Sequence, residues 1–380
     1  MSDVGDRAEA ERLLSAHAVR DAANAMFRLA QANDLPQWRI DLSRMAAAAD
    51  LTAETVRANY PDLNVPFHAR WRHFRADGRD LWADADKPSD PMELGRAAFN
   101  LVIPSVLLDA GAGPGWRYSD AAGAELSRSE GLGVASLRMW QSGALDDLSV
   151  VSAASVAQAF QVSDDNPLVG VEGRAALLRR VGQAVGQPAR LFDIMAGRAG
   201  RGILAAPDIL EVLLHELGPI WPGRLKLGGM PLGDCWAHPV GGHGLVPLHK
   251  LSQWMSYSLI EPLQWAGIEV VDIDGLTGLA EYRNGGLFID TGVLRLRDPD
   301  DEHIAQPVDS PVVVGWRSLT VALLDRLAPM VRERLGVAAK DFPLARVLEG
   351  GTWAAGRRIA REKRADGGPP IAVVSDGTVF

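Results

Sequence analysis

Apolar side chains recur at intervals of three and four residues along much of this 380-residue chain, a spacing typical of helices that bury one face. On this basis, helices are predicted from Ala8 to Ala32 and from Leu248 to Trp265. Another helix is expected to start at the capping box Asp90-Pro91-Met92-Glu93, and further helices from Pro311 to Leu335 and from Pro343 to Arg364 have a proline near their starts. Helices therefore dominate the predicted structure.

Strand signals are few and short. Residues 268–273 are predicted to form one strand and residues 287–296 another, so the fold class is mainly α with minor β. Residues 1–75 are expected to form an N-terminal helical segment packed on a main helical domain of residues 76–380, unless one continuous domain spans residues 1–380.

Composition limits the classes of partner. Hydrophobic residues make up 47% and charged residues 23% of the chain, which is the profile of a folded globular protein. The formal net charge of −9 argues against general binding to nucleic acid or to an anionic membrane, because no positive field would attract a polyanion. A single cysteine and the lack of a signal-peptide-like or membrane-spanning apolar run predict a cytoplasmic protein without disulfides.

The stretch LTGLAEYRNGGLFI, residues 276–289, places an acid, a phenol and a guanidinium side by side. Glu281 and Arg283 in this stretch could form a structural ion pair. Alternatively, a partly buried Glu281, whose pKa is raised by burial and lowered by the arginine, has the properties of a catalytic acid or base. The residues alone leave both interpretations open.

Lys250, Gln253 and Tyr257 share one stripe of the helix predicted from Leu248 to Trp265. A polar stripe is commonly a solvated helix face. These three residues are nevertheless candidates for substrate binding, because a short strand would return the chain to this helix just before Glu281.

Basic and aromatic residues are concentrated in residues 64–74, and Arg70, Trp71 and His73 of this segment are further candidates for substrate binding. Arg117 follows a glycine-rich turn that lacks the pattern of a phosphate-binding loop, yet it remains a candidate anion contact. Arg357 lies toward the basic end of the last predicted helix, where cations suit the helix dipole and where a phosphate contact is the alternative interpretation.

One thiol and three imidazoles form an alternative metal site, because these ligand types bind zinc: Cys235, His238, His243 and His249. Their spacing matches no specific zinc motif. No cofactor is therefore expected, and this set is kept as the metal-binding alternative.

Eight segments resemble the uracil-catabolism family of fungi and bacteria, a component of pyrimidine degradation long classed as a domain of unknown function. They extend from about Gln37 to Phe380 and read YPDLNVPFHARWRHF, VLLDAGAGPGWRY, RSEGLGVAS, DNPLVGVEGRAALLRR, HKLSQWMSYSLIEPL, LTGLAEYRNGG, GGTWAAGRRIA and GGPPIAVVSDGTVF. The resemblance implies a pathway in which uracil becomes a ribonucleotide, a cyclohydrolase-like enzyme opens its ring, and urea is eventually released. It also implies association with other uracil-degrading enzymes.

HKLSQ and LTGLAEYRNGG are also similar to the queuosine-salvage nucleotide glycohydrolases, whose pattern is an aromatic-Lys-x-x-Gln helix followed by Leu-Thr-x-x-x-Asp-Tyr-Arg. Four residues match that pattern: Lys250, Gln253, Tyr282 and Arg283. Glu281 stands where that family has Asp, and Asn284-Gly285-Gly286 replaces its Val-Pro-Gln. The similarity covers about forty residues. It implies a DNA-glycosylase-like helical fold and cleavage of the N-glycosidic bond of a 5′-phosphorylated nucleoside.

Together the two resemblances imply hydrolysis of the bond between the ureido nitrogen and C1′ of ribose in a ring-opened uracil ribonucleotide. Glu281 is expected to stabilise the positive charge that develops on the sugar and to deprotonate the attacking water. The other expected roles are a donor to the leaving group from Gln253, Tyr282 or a histidine, phosphate contacts from Arg283, Arg70, Arg117 and Lys250, and a wall against the ureido plane from Trp71.

Two other functions stay open. The first is a metal-dependent amidohydrolase that attacks the ureido carbonyl through the Cys235, His238, His243 and His249 set. The second is a non-catalytic partner of the ring-opening enzyme.

Overall fold

A computed structural model describes residues 3–113, 115–121, 123–221, 223–240 and 244–374. Helices form most of this part of the chain, so the predicted mainly α fold is confirmed. In chain order they are α1 (Asp3–Leu13), α2 (Ala16–Gln31), α3 (Met45–Asn59), α4 (Pro91–Leu107), α5 (Arg128–Gln141), α6 (Ala153–Ala159), α7 (Val171–Val185), α8 (Ala189–Arg198), α9 (Ala206–Glu216), α10 (Lys250–Trp265), α11 (Tyr282–Asp290), α12 (Pro311–Leu335), α13 (Leu344–Val347) and α14 (Trp353–Lys363). Among the described residues, no helix is both long enough and apolar enough to cross a membrane.

Strands in the described part of the chain are short and pair two by two. The antiparallel pairs are β1 (Trp38–Ile40) with β12 (Leu294–Leu296), β2 (Arg75–Ala76) with β3 (Arg79–Asp80), β4 (Tyr118–Ser119) with β5 (Glu125–Leu126), β7 (Lys226–Leu227) with β8 (Met230–Pro231), and β9 (Cys235–Ala237) with β10 (Leu245–Pro247). The parallel pairs are β6 (Ile203–Ala205) with β11 (Glu269–Val271), and β13 (Gln306–Pro307) with β14 (Val373–Val374). These pairs connect helices rather than forming a layer of their own.

Capping residues fix the starts of two central helices, and the first of these caps is predicted from the sequence. Asp90 Oδ1 accepts hydrogen bonds from the backbone nitrogens of the second and third residues of α4, both at 3.0 Å, and Pro91 is the first helical residue. Ser310 Oγ accepts from Val313 N at 3.2 Å and starts α12 in the same way.

The single helix predicted from Ala8 to Ala32 is two helices. Ser15 lies between α1 and α2 in an extended conformation, and its Oγ accepts a hydrogen bond from Ala18 N at 3.1 Å. A serine in this position satisfies a backbone donor that the start of a helix leaves free. The chain therefore ends one helix and begins another within an otherwise continuous apolar pattern.

The strand predicted at residues 287–296 is wrong over its first half, because residues 287–290 belong to α11 and only residues 294–296 form a strand. Packing explains the difference. A Cβ added at Gly285 would lie 2.6 Å from Trp316 Nε1 of α12, so a glycine is needed for the two helices to approach. A Cβ at Gly356 of α14 would likewise collide with the Arg283 carbonyl oxygen of α11. The glycines of α11 and α14 thus serve close helix contacts rather than a loop.

Buried apolar side chains form one large cluster with members from Leu14 to Ile371. Helix α4 packs against α5, α8 and α10, and α12 packs against α2, α3 and α11. Five segments meet between these two groups: residues 68–73, the end of α4, the start of α10, the start of α11, and the chain that leads into α14. Their polar side chains make up the candidate site.

Candidate active site

Glu281 is buried, with 7% of its surface exposed, and it is the N-cap of α11. Its Oε1 accepts a hydrogen bond from Asn284 N at 2.5 Å, and its Oε2 accepts one from Arg283 N at 2.8 Å. The Arg283 guanidinium donates instead to the carbonyl oxygen of Gly367 at 2.8 Å. Glu281 therefore interacts with the backbone of Arg283 rather than with its charge.

Lys250, the first residue of α10, interacts electrostatically with Glu281. Burial raises the pKa of Glu281, against the opposing effects of its backbone donors, Lys250 and His68. Burial lowers the pKa of Lys250, against the opposing charges of Glu281 and Asp109. Because Lys250 is still partly exposed, the pair lies where a ligand could reach it. An acid and a lysine with pKa values shifted toward each other are suited to proton transfer.

Arg70 lies in a short 3₁₀ helix, Arg70–His73, and is completely buried. Its Nε donates to Ser105 Oγ at 2.7 Å, and its Nη1 donates to Asp109 Oδ1 at 2.6 Å. Nη2 is buried and has no hydrogen-bond partner among the described residues. A buried donor without an acceptor is costly, so this nitrogen is a candidate contact for a ligand oxygen.

Two histidines and two tryptophans lie close together beside Arg70. The centroid of the His68 ring is 6.2 Å from that of Trp254 and 6.1 Å from that of Trp353. The centroid of the His73 ring is 5.9 Å from that of Trp254 and 6.4 Å from that of Trp353. Trp254 Nε1 is a second buried donor without a partner in the part of the chain that the structure describes. Burial, and then the charge of Arg70, lowers the pKa of His73 to about 3. His73 is therefore neutral near neutral pH.

His68 forms an imidazole–carboxylate pair with Glu349, with 2.7 Å between Nδ1 and Oε2. Glu349 lies in a π-helical turn, Leu348–Thr352, a rare conformation that is frequent at functional sites. A Cβ at Gly351 would lie 2.6 Å from Thr52 Cγ2, so the glycine lets this turn pack against α3. Neither His68 nor Glu349 is predicted from the sequence, because 281 positions separate them and no local pattern connects them.

Arg357 of α14 lies at the rim of this region. Its guanidinium carbon is 4.7 Å from the centroid of the Trp353 ring, and its Nη1 is 3.4 Å from Glu130 Oε1. Arg357 and Trp353 are both partly exposed, as are Asp109 and Glu349. The region is therefore accessible from solvent on this side.

These groups form one connected set, which we call the central polar cluster. Its members are His68, Arg70, His73, Asp109, Lys250, Trp254, Glu281, Glu349, Trp353 and Arg357. Four of the residues predicted from the sequence as catalytic or substrate-binding are among them: Arg70, His73, Lys250 and Glu281. Tyr282 and Arg283 adjoin the cluster, and the Arg283 guanidinium carbon lies 4.8 Å from the centroid of the Tyr282 ring.

Gln253 and Tyr257, also predicted to bind substrate, hold Thr277 against α10. Gln253 Nε2 donates to Thr277 Oγ1 at 2.9 Å, and its Oε1 accepts from Thr277 N at 3.3 Å. Tyr257 Oη donates to Thr277 O at 3.0 Å, and burial raises the pKa of this phenol. Both side chains are completely buried. They fix the segment that leads to Glu281.

Trp71 and Arg117, the remaining predicted substrate contacts, lie outside the central polar cluster. Trp71 Nε1 donates to Ser258 O at 2.7 Å, and its ring centroid is 4.8 Å from that of Trp265 and 5.0 Å from that of Trp82. Arg117 is exposed, and its Nη1 donates to the neighbouring carbonyl oxygen at 2.7 Å. The structure thus gives Trp71 a packing role in an aromatic group.

The predicted metal alternative is only partly covered by the structure, because His243 lies outside the described residues. Burial raises the pKa of the Cys235 thiol to about 12, and the rings of His238 and His249 each contact a backbone carbonyl oxygen. Among the residues that are described, no three His, Cys, Asp or Glu side chains are arranged to hold a metal ion.

The structure defines a mainly helical protein with a buried cluster of ionisable and aromatic groups where five segments meet. The chain belongs to a family described as a protein of unknown function (DUF1688), whose model matches residues 12–380. Protein urg3 of Schizosaccharomyces pombe is 36% identical over 397 residues, with 97% of this chain and 98% of that protein covered. Uracil catabolism protein 4 of Lachancea kluyveri is 34% identical over 433 residues, with 96% of this chain and 98% of that protein covered.

Proposed function

We propose that this chain acts in uracil catabolism as a hydrolase of the N-ribosyl bond in a ring-opened uracil ribonucleotide, with urea or a substituted urea and ribose phosphate as products. The name of the Lachancea kluyveri relative, Uracil catabolism protein 4, supports the pathway. The similarity of HKLSQ and LTGLAEYRNGG to the queuosine-salvage glycohydrolases supports the type of bond and a DNA-glycosylase-like arrangement of the helices.

The observation that carries this proposal is the placement of Glu281, a buried carboxylate that two backbone hydrogen bonds hold at the start of α11 within the central polar cluster. Cleavage of the bond between C1′ and nitrogen passes through a state with positive charge on the sugar, which a carboxylate stabilises. Because burial raises the pKa of Glu281, this carboxylate is a better base toward water than an exposed one. Its two cap hydrogen bonds occupy about half of the lone-pair sites of a carboxylate, and the others remain for water.

Arg70 and Trp254 are suited to the leaving group. A departing urea carries negative charge on its oxygen and nitrogen, and hydrogen-bond donors that face the oxygen stabilise it. Arg70 Nη2 and Trp254 Nε1 are buried donors without acceptors among the described residues. In this proposal they take the place of Gln253, whose amide is already bonded to Thr277.

Arg283 and Arg357 are suited to the phosphate. Burial lowers the pKa of Arg357 against the charge of Glu130, and the nearby charges of Arg361 and Arg283 lower it further. A phosphate dianion placed between these guanidinium groups would relieve their repulsion and accept paired hydrogen bonds.

Turnover in ¹⁸O-labelled water tests the reaction. The purified protein is incubated with enzymatically opened UMP, and the sugar product is reduced at once with borohydride to retain the oxygen on C1. We expect label on C1 of ribitol phosphate and unlabelled urea. Label in the carbonyl product would indicate amide hydrolysis, and absence of turnover would indicate a non-catalytic role; either result overturns the proposal.

The variant Glu281→Gln tests the proposed catalytic role of Glu281. It keeps one acceptor for the helix cap but removes the charge, so the rate should fall by about 10²-fold or more while the fold is retained. Asp90→Asn is the matched control, because Asp90 also caps a helix through its carboxylate but lies far along α4 from the cluster. Full activity of Glu281→Gln would remove Glu281 from the mechanism.

A further inference from the structure

We infer that His68, held in position by Glu349, is the general acid that protonates the ureido nitrogen as it leaves C1′. This inference rests on the proposed function and adds the residue that makes a poor leaving group depart. Urea anions are strongly basic, so a proton must reach the nitrogen during bond cleavage.

The position of His68 is fixed at two points. Its Nδ1 lies 2.7 Å from Glu349 Oε2, and its backbone nitrogen donates to Ala345 O at 3.0 Å, in the helix that precedes the π-helical turn. The His68 ring also packs near Trp254 and Trp353, with its centroid 6.2 Å and 6.1 Å from the centroids of those two rings. Both ring orientation and tautomer are thereby determined.

The second nitrogen of His68 is available for a ligand. Nε2 makes no hydrogen bond to any residue in the described part of the chain, whereas Nδ1 is bonded to the carboxylate. A carboxylate on Nδ1 stabilises the imidazolium and directs the other N–H outward, as the third group of a catalytic triad does. The charge of His68 is among the influences that lower the pKa of Glu281, and the proposed acid and base both belong to the central polar cluster.

His73, the histidine predicted from the sequence, is not suited to this role. Its Nδ1 faces the Arg70 guanidinium at 3.5 Å, and its pKa is lowered to about 3 by burial and by that charge. A neutral imidazole keeps one N–H but is a very weak acid, so His73 is a poor proton donor to the leaving group. The Nδ1 of His68 faces the carboxylate of Glu349 instead of a guanidinium. This difference favours His68 over His73 as the proton donor.

The step balances with water as the only co-reactant. The C1′–N bond breaks and its electron pair goes to the nitrogen, which takes the proton from His68 Nε2. Water adds to C1′ and gives its proton to Glu281. Transfer of that proton back to His68 through solvent restores both groups. The net change is addition of one water across the bond, with no oxidation or reduction.

The dependence of the hydrolysis rate on the acidity of the leaving group tests the role of His68 as general acid. The substrates are N-ribosylurea 5-phosphates whose distal nitrogen carries hydrogen, acetyl or trifluoroacetyl, so that the departing urea becomes progressively more acidic. For His68→Gln we expect a loss of about 10²- to 10⁴-fold on the unsubstituted urea and a much smaller loss on the trifluoroacetyl compound. Glu349→Gln keeps shape and a hydrogen bond at Nδ1, and it should give the same pattern in weaker form.

His17→Gln is the matched control, because His17 forms an imidazole–carboxylate pair with Asp21 on the exposed surface of α2, 3.0 Å apart. It should follow the wild type across the series. Equal losses on all three substrates in both His68→Gln and Glu349→Gln would overturn the general-acid role while leaving the proposed function intact. Lack of turnover of every substrate by the wild type would instead overturn the proposed function. If His68→Gln fails to fold, the Glu349→Gln series decides.

Discussion

Arg70 Nη1 lies 2.6 Å from Asp109 Oδ1, whereas Nη2 of the same guanidinium is buried without a hydrogen-bond partner among the described residues. The guanidinium carbon is 5.8 Å from the centroid of the Trp254 ring. Trp254 Nε1 is likewise buried without a hydrogen-bond partner among the described residues. Each buried donor without an acceptor costs about 1–3 kcal/mol. Two of them side by side are explained when a ligand supplies the acceptors.

Trp254→Phe removes one of these donors and keeps an aromatic ring. The free protein should lose little stability through the missing N–H, because no hydrogen bond is broken, whereas kcat/KM should fall about tenfold, because this N–H stabilises the charge on the departing urea. Steady-state kinetics and melting temperatures with and without substrate measure the two effects. Trp71→Phe is the control: it breaks the bond to Ser258 O, so it should lower the stability and leave kcat/KM unchanged. If Trp254→Phe lowered the stability without affecting catalysis, and Trp71→Phe did the reverse, the proposed contact of Trp254 with the ligand would be contradicted.

Tyr257→Phe tests whether the Tyr257 hydroxyl serves the fold or the substrate. Loss of its bond to Thr277 O should reduce the free energy of unfolding by about 1–2 kcal/mol and leave KM within about twofold. Urea unfolding and kinetics measure the two quantities. Tyr118→Phe is the control, since the Tyr118 hydroxyl has no hydrogen bond within the described residues and its loss should change stability less. If Tyr257→Phe raised KM and left the stability unchanged, the Tyr257 hydroxyl would be a substrate contact, as predicted from the sequence.

Local chemistry predicts the helices better than the site. Asp90-Pro91 and Ser310-Pro311 carry their own start signals, because a capping oxygen and a proline act on the next few residues alone. Helix α11 carries no such clear signal. Its two glycines favour a loop when read locally, and the contact of Gly285 with Trp316 that makes a glycine necessary there comes from α12.

The candidate site shows the same division. Glu281 stands out as an acid in an apolar stretch and Lys250 as part of a polar helix stripe, and in the structure the charge of each opposes the effect of burial on the pKa of the other. Gln253 has equally suggestive spacing, yet its amide is bonded at both ends to Thr277. The pair of His68 and Glu349 depends entirely on how distant segments pack, so no pattern of spacing reveals it.

The buried pair of Asp234 and Arg317 should make stability depend on pH at the acid end. Nη1 and Nη2 of Arg317 donate to the two carboxylate oxygens at 2.9 and 2.8 Å, and Asp234 Oδ2 also accepts from Lys250 N at 2.9 Å, at the start of α10. Burial would raise the pKa of Asp234, but Arg317 and the other donors lower it to about 2.

Because this folded-state pKa lies below the unfolded value of about 3.9, the stabilisation is complete above about pH 4 and is lost as the pH falls toward about 2. It amounts to about 2–3 kcal/mol. Asp234→Asn should cost about 3–5 kcal/mol at neutral pH, since it leaves Arg317 buried beside a neutral partner, and its stability should vary less with pH in that window. Denaturant unfolding from neutral to acid pH measures both. Asp84→Asn, in an exposed pair with Arg79, should reduce the free energy of unfolding by less than about 1 kcal/mol. If it cost as much as Asp234→Asn, burial of the Asp234–Arg317 pair would not increase its contribution to stability.

Arg357→Gln tests the contact with the substrate's phosphate. A charge-assisted hydrogen bond to phosphate contributes about 1.5–3 kcal/mol, so KM for the 5′-phosphorylated substrate should rise about ten- to a hundredfold. The dephosphorylated substrate should be turned over with unchanged kcat/KM, because the interaction that is removed does not exist for it. The ratio of kcat/KM for the two substrates is therefore the quantity to measure.

Arg358→Gln is the matched control, because it removes the same charge from the next position of α14, where the guanidinium is exposed and pairs with Glu54 and Glu362. It should preserve the substrate ratio of the wild type. If Arg357→Gln lowered kcat/KM equally for both substrates, Arg357 would act on the shape of the site through its stacking on Trp353 and not on the phosphate. The phosphate would then have to be bound by other cations, and Arg283 is the next to test by the same ratio.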